Sequence, residues 1–297
     1  MNVYSLVNDF RSNYMNRRLK PTTIRGYEVN LNSYILPYFK FYELDEVTYS
    51  AIDDFVAKIG SIGLSNTSII YVLATFSKIY SYAVKRGYIA YNPLKSYDYP
   101  RKSNFQYNTL TQGQMEVLLF AAKDKDEFPA LLLACHYGLR RGEACAVSVS
   151  DISGNVLYIR RTVTHVGGEL VFTTPKSDKI RCIKLLDEDV KQLLAYDKKR
   201  KKHSSGALMR DHEGQIVTPN AINKRLKKLL LELSLPDVRF HDLRHSYATI
   251  MMQNGINPKI VSTVLGHSSV DITLDLYSHC YVDMQDACLQ VFRKSKI

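Results

Sequence analysis

A chain of 297 residues is long enough for two domains of modest size, and a hydrophobic content of 45% is enough to give each a core. No apolar run of about eighteen residues exists, which excludes a membrane-spanning helix, and the N-terminal MNVYSLVNDFRSNYM lacks a basic-then-apolar leader, so a cytoplasmic location is expected. The 40 Lys and Arg against 29 Asp and Glu leave a net charge of +11, which suits a polyanionic partner, most often nucleic acid. The five cysteines (Cys135, Cys145, Cys182, Cys280, Cys288) are scattered and form no CxxC, and they read as reduced thiols rather than as a disulfide framework or a zinc site.

Residues 1–100 read as four helices. Leu6, Val7 and Phe10 begin one apolar face. A second helix follows Pro21, with Tyr27, Leu31, Tyr34 and Ile35 at helical spacing until Pro37 stops it. Thr48 caps a third through Ile52, Phe55, Val56 and Ile59. The fourth carries Ile69, Val72, Leu73, Phe76, Ile79, Tyr80, Ala83 and Val84 and ends at Arg86-Gly87. Helices joined this closely make a small bundle. Its 11 basic and 8 acidic side chains do not by themselves mark it as a DNA-binding surface. Arg17, Arg18, Lys20 and Arg25 near the second helix, and Lys78, Lys85 and Arg86 on the fourth, read first as a solvated face. From Asn92-Pro93 to about Asn108 periodicity is lost. A linker is expected there, taken as 101–110, with the second domain over 111–297.

That domain opens at Thr111 and Gln114, the pattern of a capping box. The apolar helix PALLLACHYG is followed by Leu139-Arg140-Arg141-Gly142-Glu143, which starts the next helix. Between about 155 and 185 the signals change to strand: Val156–Ile159 with Val163 as one strand, a Gly167-Gly168 turn, Leu170 and Phe172 as a second, and Ile180, Ile183 and Leu185 as a third. Lys176 and Lys179 lie between the last two. A helix from Asp187 runs into the five cations Lys198–Lys202, which read as a solvated helix end, and Thr218-Pro219 caps a helix through Ile222, Leu226, Leu229 and Leu230.

The stretch FHDLRHSYATIMMQNGINPKIVSTVLGHSSVDITLDLYSH carries most of the chemistry. His241 and Arg244 are three apart and share a helix face. That helix fades at Asn254-Gly255, and a new one starts at Asn257-Pro258 and ends at Gly266, which turns His267 back toward the same place. Tyr277 follows, and Met284, Ala287, Cys288 and Val291 mark a tail helix. An arginine, two imidazoles and a phenol are collected without an acidic metal cluster. His241 and His245 stand four apart as in helical zinc sites, but no glutamate of an HExxH pattern and no third ligand accompany them.

HDLRH, LGH and TLDLYSH, with GLRRGE upstream, resemble the boxes of the tyrosine recombinase family, which includes phage and transposon integrases. The resemblance implies a mainly α fold with a small antiparallel β-sheet: an N-terminal helical bundle (a SAM-like core-binding domain) that clamps DNA, and a C-terminal catalytic domain with a tail helix. It implies the set Arg140, Lys176, His241, Arg244, His267 and Tyr277, with Glu143 bracing Arg140. Lys179 is the rival of Lys176 on the β-turn, and Tyr277 has rivals in Tyr247 and Tyr281, of which Tyr281, one helical turn away, is the serious one. The family's activity is DNA strand cleavage and rejoining through a 3′-phosphotyrosyl link, with no metal and no ATP. Its partners are double-stranded DNA, a tetramer on two DNA sites built by exchange of C-terminal tails, and an accessory directionality factor, on the nucleoid and with no membrane. A type IB topoisomerase shares the chemistry. The alternative of another class is a catalytically silent DNA-binding or regulatory relative, against which the intact set of six stands.

These side chains suit the reaction. Tyr277 attacks phosphorus and stores the bond energy, although its unperturbed pKa of about 10 requires nearby cations to favour the phenolate. Arg140 and Arg244 offer planar paired donors to the phosphate oxygens, with about 3 kcal/mol at stake per lost donor. Lys176 protonates the leaving 5′ oxygen. His241 assists proton movement at the tyrosine, and His267 hydrogen-bonds a non-bridging oxygen.

Overall fold

In the computed structural model, which describes residues 1–101, 108–166, 169–174, 180–203, 206–266 and 269–270, the chain divides into two units, Met1–Phe105 and Gln106–Ile297. No described helix is long and apolar enough to cross a membrane.

The first unit is a helical bundle. Helix α1 (residues 3–18) starts where the Asn2 side chain accepts the Ser5 N–H, and it buries Val3, Leu6, Val7 and Phe10. Helix α2 (residues 21–39) opens with Pro21 in its first turn. Each is widened by one π-helical stretch, Arg11–Met15 and Leu31–Ile35. Pro37 does not stop α2, contrary to the expectation from sequence. The Leu36 N–H already reaches back five residues to Leu31 O, so the ladder is offset before the proline. Pro37 then sits at the first turn of the continuing segment Leu36–Phe39, where its missing N–H costs little.

Helix α3 (Tyr49–Ser61) is capped by Thr48, which accepts from the Ala51 N–H, and α4 (Asn66–Lys85) by Ser65, which accepts from the Ser68 N–H. The helical stripe read in α4 is its core face: Ile69, Val72, Leu73, Phe76, Ile79, Tyr80 and Ala83 are all buried. Phe39 lies 5.0 Å from both Phe55 and Phe76, and Phe76 meets Tyr80 edge-on at 5.0 Å. The buried Tyr80 hydroxyl donates to Leu44 O. The stretch after α4 is not free chain. Asn92 donates to Ser77 O and to the Ser77 and Ser81 hydroxyls, Leu94 is fully buried, and Tyr97 donates to Asp53.

The second unit begins with α5 (Gln112–Ala122), whose capping box is complete: Gln114 N–H donates to Thr111 Oγ1, and Thr111 N–H to Gln114 Oε1. Leu110, in the stretch expected to be linker, is buried here, and its N–H donates to the Ser246 hydroxyl. Helix α6 (Phe128–Tyr137) is apolar all round and is the unit's central rod. After α7 (Arg141–Ala146) come β1 (Ile152–Ser153), β2 (Val156–Ile159), β3 (Thr162–Val166), β4 (Glu169–Thr173) and β5 (Arg181–Lys184). They form two antiparallel sheets, one ordered β1-β2-β5 and the other the β3-β4 hairpin.

The strand expected over 156–163 is therefore two strands in different sheets. It breaks at Arg160-Arg161, both of which turn to Asp151 at 3.4 and 3.2 Å. Beyond the break β3 packs on α7, so closely that a Cβ on Gly142 would come 2.8 Å from Val163 O. Ile180 precedes β5 and is exposed. Val166 pairs with Glu169; Gly167-Gly168, the expected turn, lie outside the described residues.

Four helices follow: α8 (Asp187–Lys198), α9 (Pro219–Glu232), α10 (Phe240–Gln253) and α11 (Pro258–Leu265). The cations after α8 are not all solvated. Arg200 is buried, its guanidinium lies 3.5 Å from the centre of the Tyr196 ring, and it donates to Asp124 O and Asp126. The tail helix expected around Met284–Val291 lies outside the described residues.

The Phe39–Phe55–Phe76–Tyr80 cluster should dominate the stability of the first unit. Phe76→Ala is expected to cost about 3–5 kcal/mol, read as a lowered urea midpoint of the full chain in far-UV circular dichroism. An unchanged midpoint would remove this cluster from the centre of the core.

Candidate active site

The site is assembled at a left-handed turn. Gly138 ends α6 at φ 64°, where a Cβ would run into Leu265 and Tyr247, so both the backbone angle and the space call for glycine. The turn delivers Leu139 to the core and makes Arg140 the residue that caps α7. Arg244, on α10, is buried and donates its Nη1 to Gly138 O at 2.7 Å. One expected arginine thus holds the turn that carries the other.

Glu143 orders the start of α7. Three residues into the helix, its Oε2 accepts the Arg140 N–H at 3.0 Å, the carboxylate half of a capping box. Arginine has no acceptor to supply the other half; instead its Nη1 donates to Glu143 Oε1 at 3.0 Å. Arg181, the first residue of β5, adds a fork to the same carboxylate, Nη1 to Oε1 at 2.9 Å and Nη2 to Oε2 at 2.7 Å. Burial pushes the Glu143 carboxyl up, but the bonds and charges of Arg181 and then Arg140 outweigh it and hold the pKa at about 2.

The end of α11 closes the arrangement. Gly266, left-handed at φ 68°, gives its carbonyl to Arg140 Nη2 at 2.9 Å, and Val264 O accepts from Arg181 Nε at 3.2 Å. At the start of α10, Asp242 accepts from the Arg239 N–H at 2.8 Å and from its guanidinium at 2.9 Å. This cap sets His241 and Arg244 on their shared face. The His241 ring meets that of His245 edge-on at 4.8 Å. Crowding by protein atoms, then the charges of Arg244, Arg140 and Arg239 acting against Asp242, lower the His241 pKa from its ordinary value. His245 is buried, and burial, with His241 and the neighbouring arginines, takes its pKa to about 4.

Arg140, His241 and Arg244 are therefore brought to one place. Lys176, His267 and Tyr277, with the rivals Lys179 and Tyr281, lie outside the described residues. The segments that carry two of them are tied to the site at their described ends, Arg181 for the β4–β5 connection and Gly266 for the residue before His267. Two guanidiniums and an imidazole that stays neutral at pH 7 suit an anionic tetrahedral group. Among the described residues no group of three His, Cys, Asp or Glu is placed to hold a metal ion. Sequence reasoning passed over Arg181. The available signal was its alternation with buried Ile183, which puts a cation on the inward face of a strand.

Both titrations carry stability. Glu143, at about 2 against an ordinary 4.5, contributes roughly 3 kcal/mol that is present above pH 4.5 and lost as pH falls toward 2. His245 stays neutral in the fold, so its roughly 3 kcal/mol is present above pH 6.5 and lost as pH falls through 4. In urea titrations over pH, His245→Asn should flatten the decline between pH 6.5 and 4, and Glu143→Gln should flatten it below 4.5. A decline of unchanged slope in either variant would clear that residue of the role.

Comparison with known proteins places the fold and the site in one context. The family model described as "Phage integrase family" matches residues 108–284, and the one described as "Phage integrase, N-terminal SAM-like domain" matches residues 4–59. The ICEBs1 integrase of Bacillus subtilis strain 168 is 25% identical over 289 residues, which cover 90% of this chain and 76% of that one. A tyrosine recombinase XerC-like protein of Caldanaerobacter subterraneus subsp. tengcongensis is 26% identical over 295 residues, 88% of this chain and 74% of its own. Among solved structures, the Tn1549 transposon integrase in complex with transposon right end DNA shares the fold at a TM-score of 0.83 and 21% identity, covering 98% of this chain and 99% of that one. A lambda integrase dimer bound to a COC′ core site does so at 0.75 and 17%, covering 93% and 95%. With the helical bundle, the two small sheets and the paired arginines at the α6–α7 turn, these matches establish that the chain belongs to the phage integrase family.

Proposed function

We propose that this chain is a site-specific DNA recombinase that cleaves and rejoins duplex DNA through a covalent 3′-phosphotyrosyl intermediate. The observation that carries the chemistry is the convergence of Arg140, Arg244 and His241 around the Gly138 turn, in a family of DNA-recombining enzymes. Tyr277 is the nucleophile: its phenolic oxygen bonds to phosphorus while the bond from phosphorus to the 5′ oxygen breaks. Lys176 gives its proton to that leaving oxygen. His241, held neutral, receives the proton from the phenol. Arg140 and Arg244, with His267, neutralise the non-bridging oxygens as charge builds on them. Attack by a 5′ hydroxyl reverses the steps and rejoins the strand, so the bond energy is conserved and neither ATP nor water is consumed.

The domain division fits this reading, with residues 1–100 as the core-binding bundle and 111–297 as the catalytic domain. Lambda integrase has been solved as a tetramer bound to a Holliday junction. For this chain we infer a tetramer on two DNA sites, linked by exchange of the C-terminal tails, with an accessory factor setting direction on the nucleoid.

The test is denaturing-gel trapping of a covalent complex on nicked duplexes drawn from the DNA flanking the gene. Wild type is expected to give an adduct and Tyr277→Phe none. Arg140→Ala should slow adduct formation by on the order of 100- to 1000-fold. An adduct that persists in Tyr277→Phe moves the nucleophile to Tyr281 or elsewhere; tight duplex binding with no adduct in wild type favours a silent DNA-binding protein.

A further inference from the structure

We propose that Arg181 is a positioning residue for strand cleavage, fixing Arg140 through the shared Glu143 carboxylate and fixing the end of α11 through Val264 O. The inference rests on the strand-cleaving reading for its consequence and on geometry for its substance. Arg181 is largely buried, with 13% of its side chain exposed. Its guanidinium uses both Nη donors on Glu143, at 2.9 and 2.7 Å, and its Nε on Val264 O, at 3.2 Å. All three edges of the fork are thus directed to elements other than its own strand.

Space confirms the fit. A Cβ on Gly266 would come within 3.1 Å of Arg181 Cδ, Nε and Cζ, so the left-handed glycine that ends α11 lies against the guanidinium. The same glycine's carbonyl holds Arg140 Nη2. Arg140, Glu143, Arg181 and the α11 end therefore form a closed loop of contacts: Arg140 to Glu143, Glu143 to Arg181, Arg181 to Val264, and Gly266 back to Arg140. Removing Arg181 opens that loop at two of its links. Glu143, alone with Arg140, no longer has either oxygen held from outside the helix, and the Arg140 fork gains freedom. Lysine in its place carries the charge without the planar fork whose donors sit on three separate nitrogens.

Misplacing a phosphate-binding group by about 1 Å costs on the order of 100-fold in rate. Such a loss falls on the chemical step and spares duplex affinity, which is set by many backbone contacts. The experiment uses the full chain and a nicked duplex that wild type converts to adduct, with Arg181→Met, Arg181→Lys, Glu143→Gln and the Arg181→Met/Glu143→Gln double variant. Single-turnover adduct formation at saturating protein, duplex binding by anisotropy and the Arg140 guanidinium signals in ¹⁵N NMR are measured on each. Arg181→Met is expected to slow adduct formation on the order of 100-fold, with duplex affinity within about twofold, and Arg181→Lys to restore only a minor part. The double variant should be no slower than the slower single variant, because both substitutions break one linkage. The Arg140 signals should lose their restraint in Arg181→Met. Multiplying losses, a rate deficit matched by weaker duplex binding, or Arg140 signals unchanged from wild type would each overturn the proposal. Absence of any wild-type adduct would refute the phosphotyrosyl reading instead, and the Arg140 signals would still decide the role of Arg181.

Discussion

The Glu143 carboxylate is where three parts of the second unit are tied together. It accepts the backbone and side chain of Arg140 from the start of its own helix and the fork of Arg181 from β5, and both arginines continue to the carbonyls at the end of α11. A carboxylate that is 2% exposed is costly to keep charged, and a bidentate arginine with a second arginine beside it is the geometry that offsets the cost. Truncating one partner of such a cluster is worse than never having it, since the charges that remain are left buried and uncompensated. Measured against an apolar replacement rather than against its protonated form, the cluster is thus a weak source of net stability and a strong source of geometry.

Glycines make the cluster possible. Gly138 supplies the left-handed turn that brings Arg140 back onto α7, and its carbonyl gives Arg244 a fixed acceptor. Gly266 ends α11 in the same conformation, with its missing side chain leaving room for the Arg181 guanidinium. Gly142 admits the β3 backbone against α7. That contact holds β3 against α7 beyond the break at Arg160-Arg161.

Much of this was legible in the sequence because it is local. The caps at Thr48, Thr111, Thr218 and Asn257 act over two or three residues, and the apolar stripe of α4 repeats with the helix itself. The Gly138 turn with Arg140, and the spacing of His241 and Arg244, are local in the same sense. What was not legible either leaves no mark in composition or depends on partners far along the chain. Pro37 read as a stop because a π turn five residues wide leaves no mark in composition. Arg200 read as one of five solvated cations because Asp124 and Asp126, which accept from its guanidinium, lie 76 and 74 residues before it. Arg181 became visible only with Glu143 and Val264 in place around it.

The charge balance of the cluster bears on proton transfer as well as on phosphate binding. Arg140, Arg181 and Glu143 together leave one positive charge, and Arg244 adds another on the neighbouring helix, while Asp242 is spent on Arg239. His241 sits in this excess and among crowding protein atoms, and both disfavour its protonated form. A cationic imidazole would add to the pull on the phosphate but would have no site for another proton. A neutral one forgoes that modest attraction and keeps a lone pair able to take a proton, which is what the role proposed for His241 requires. The arginines thus add to burial, the larger cause, in keeping the histidine beside them free of the positive charge that they themselves carry.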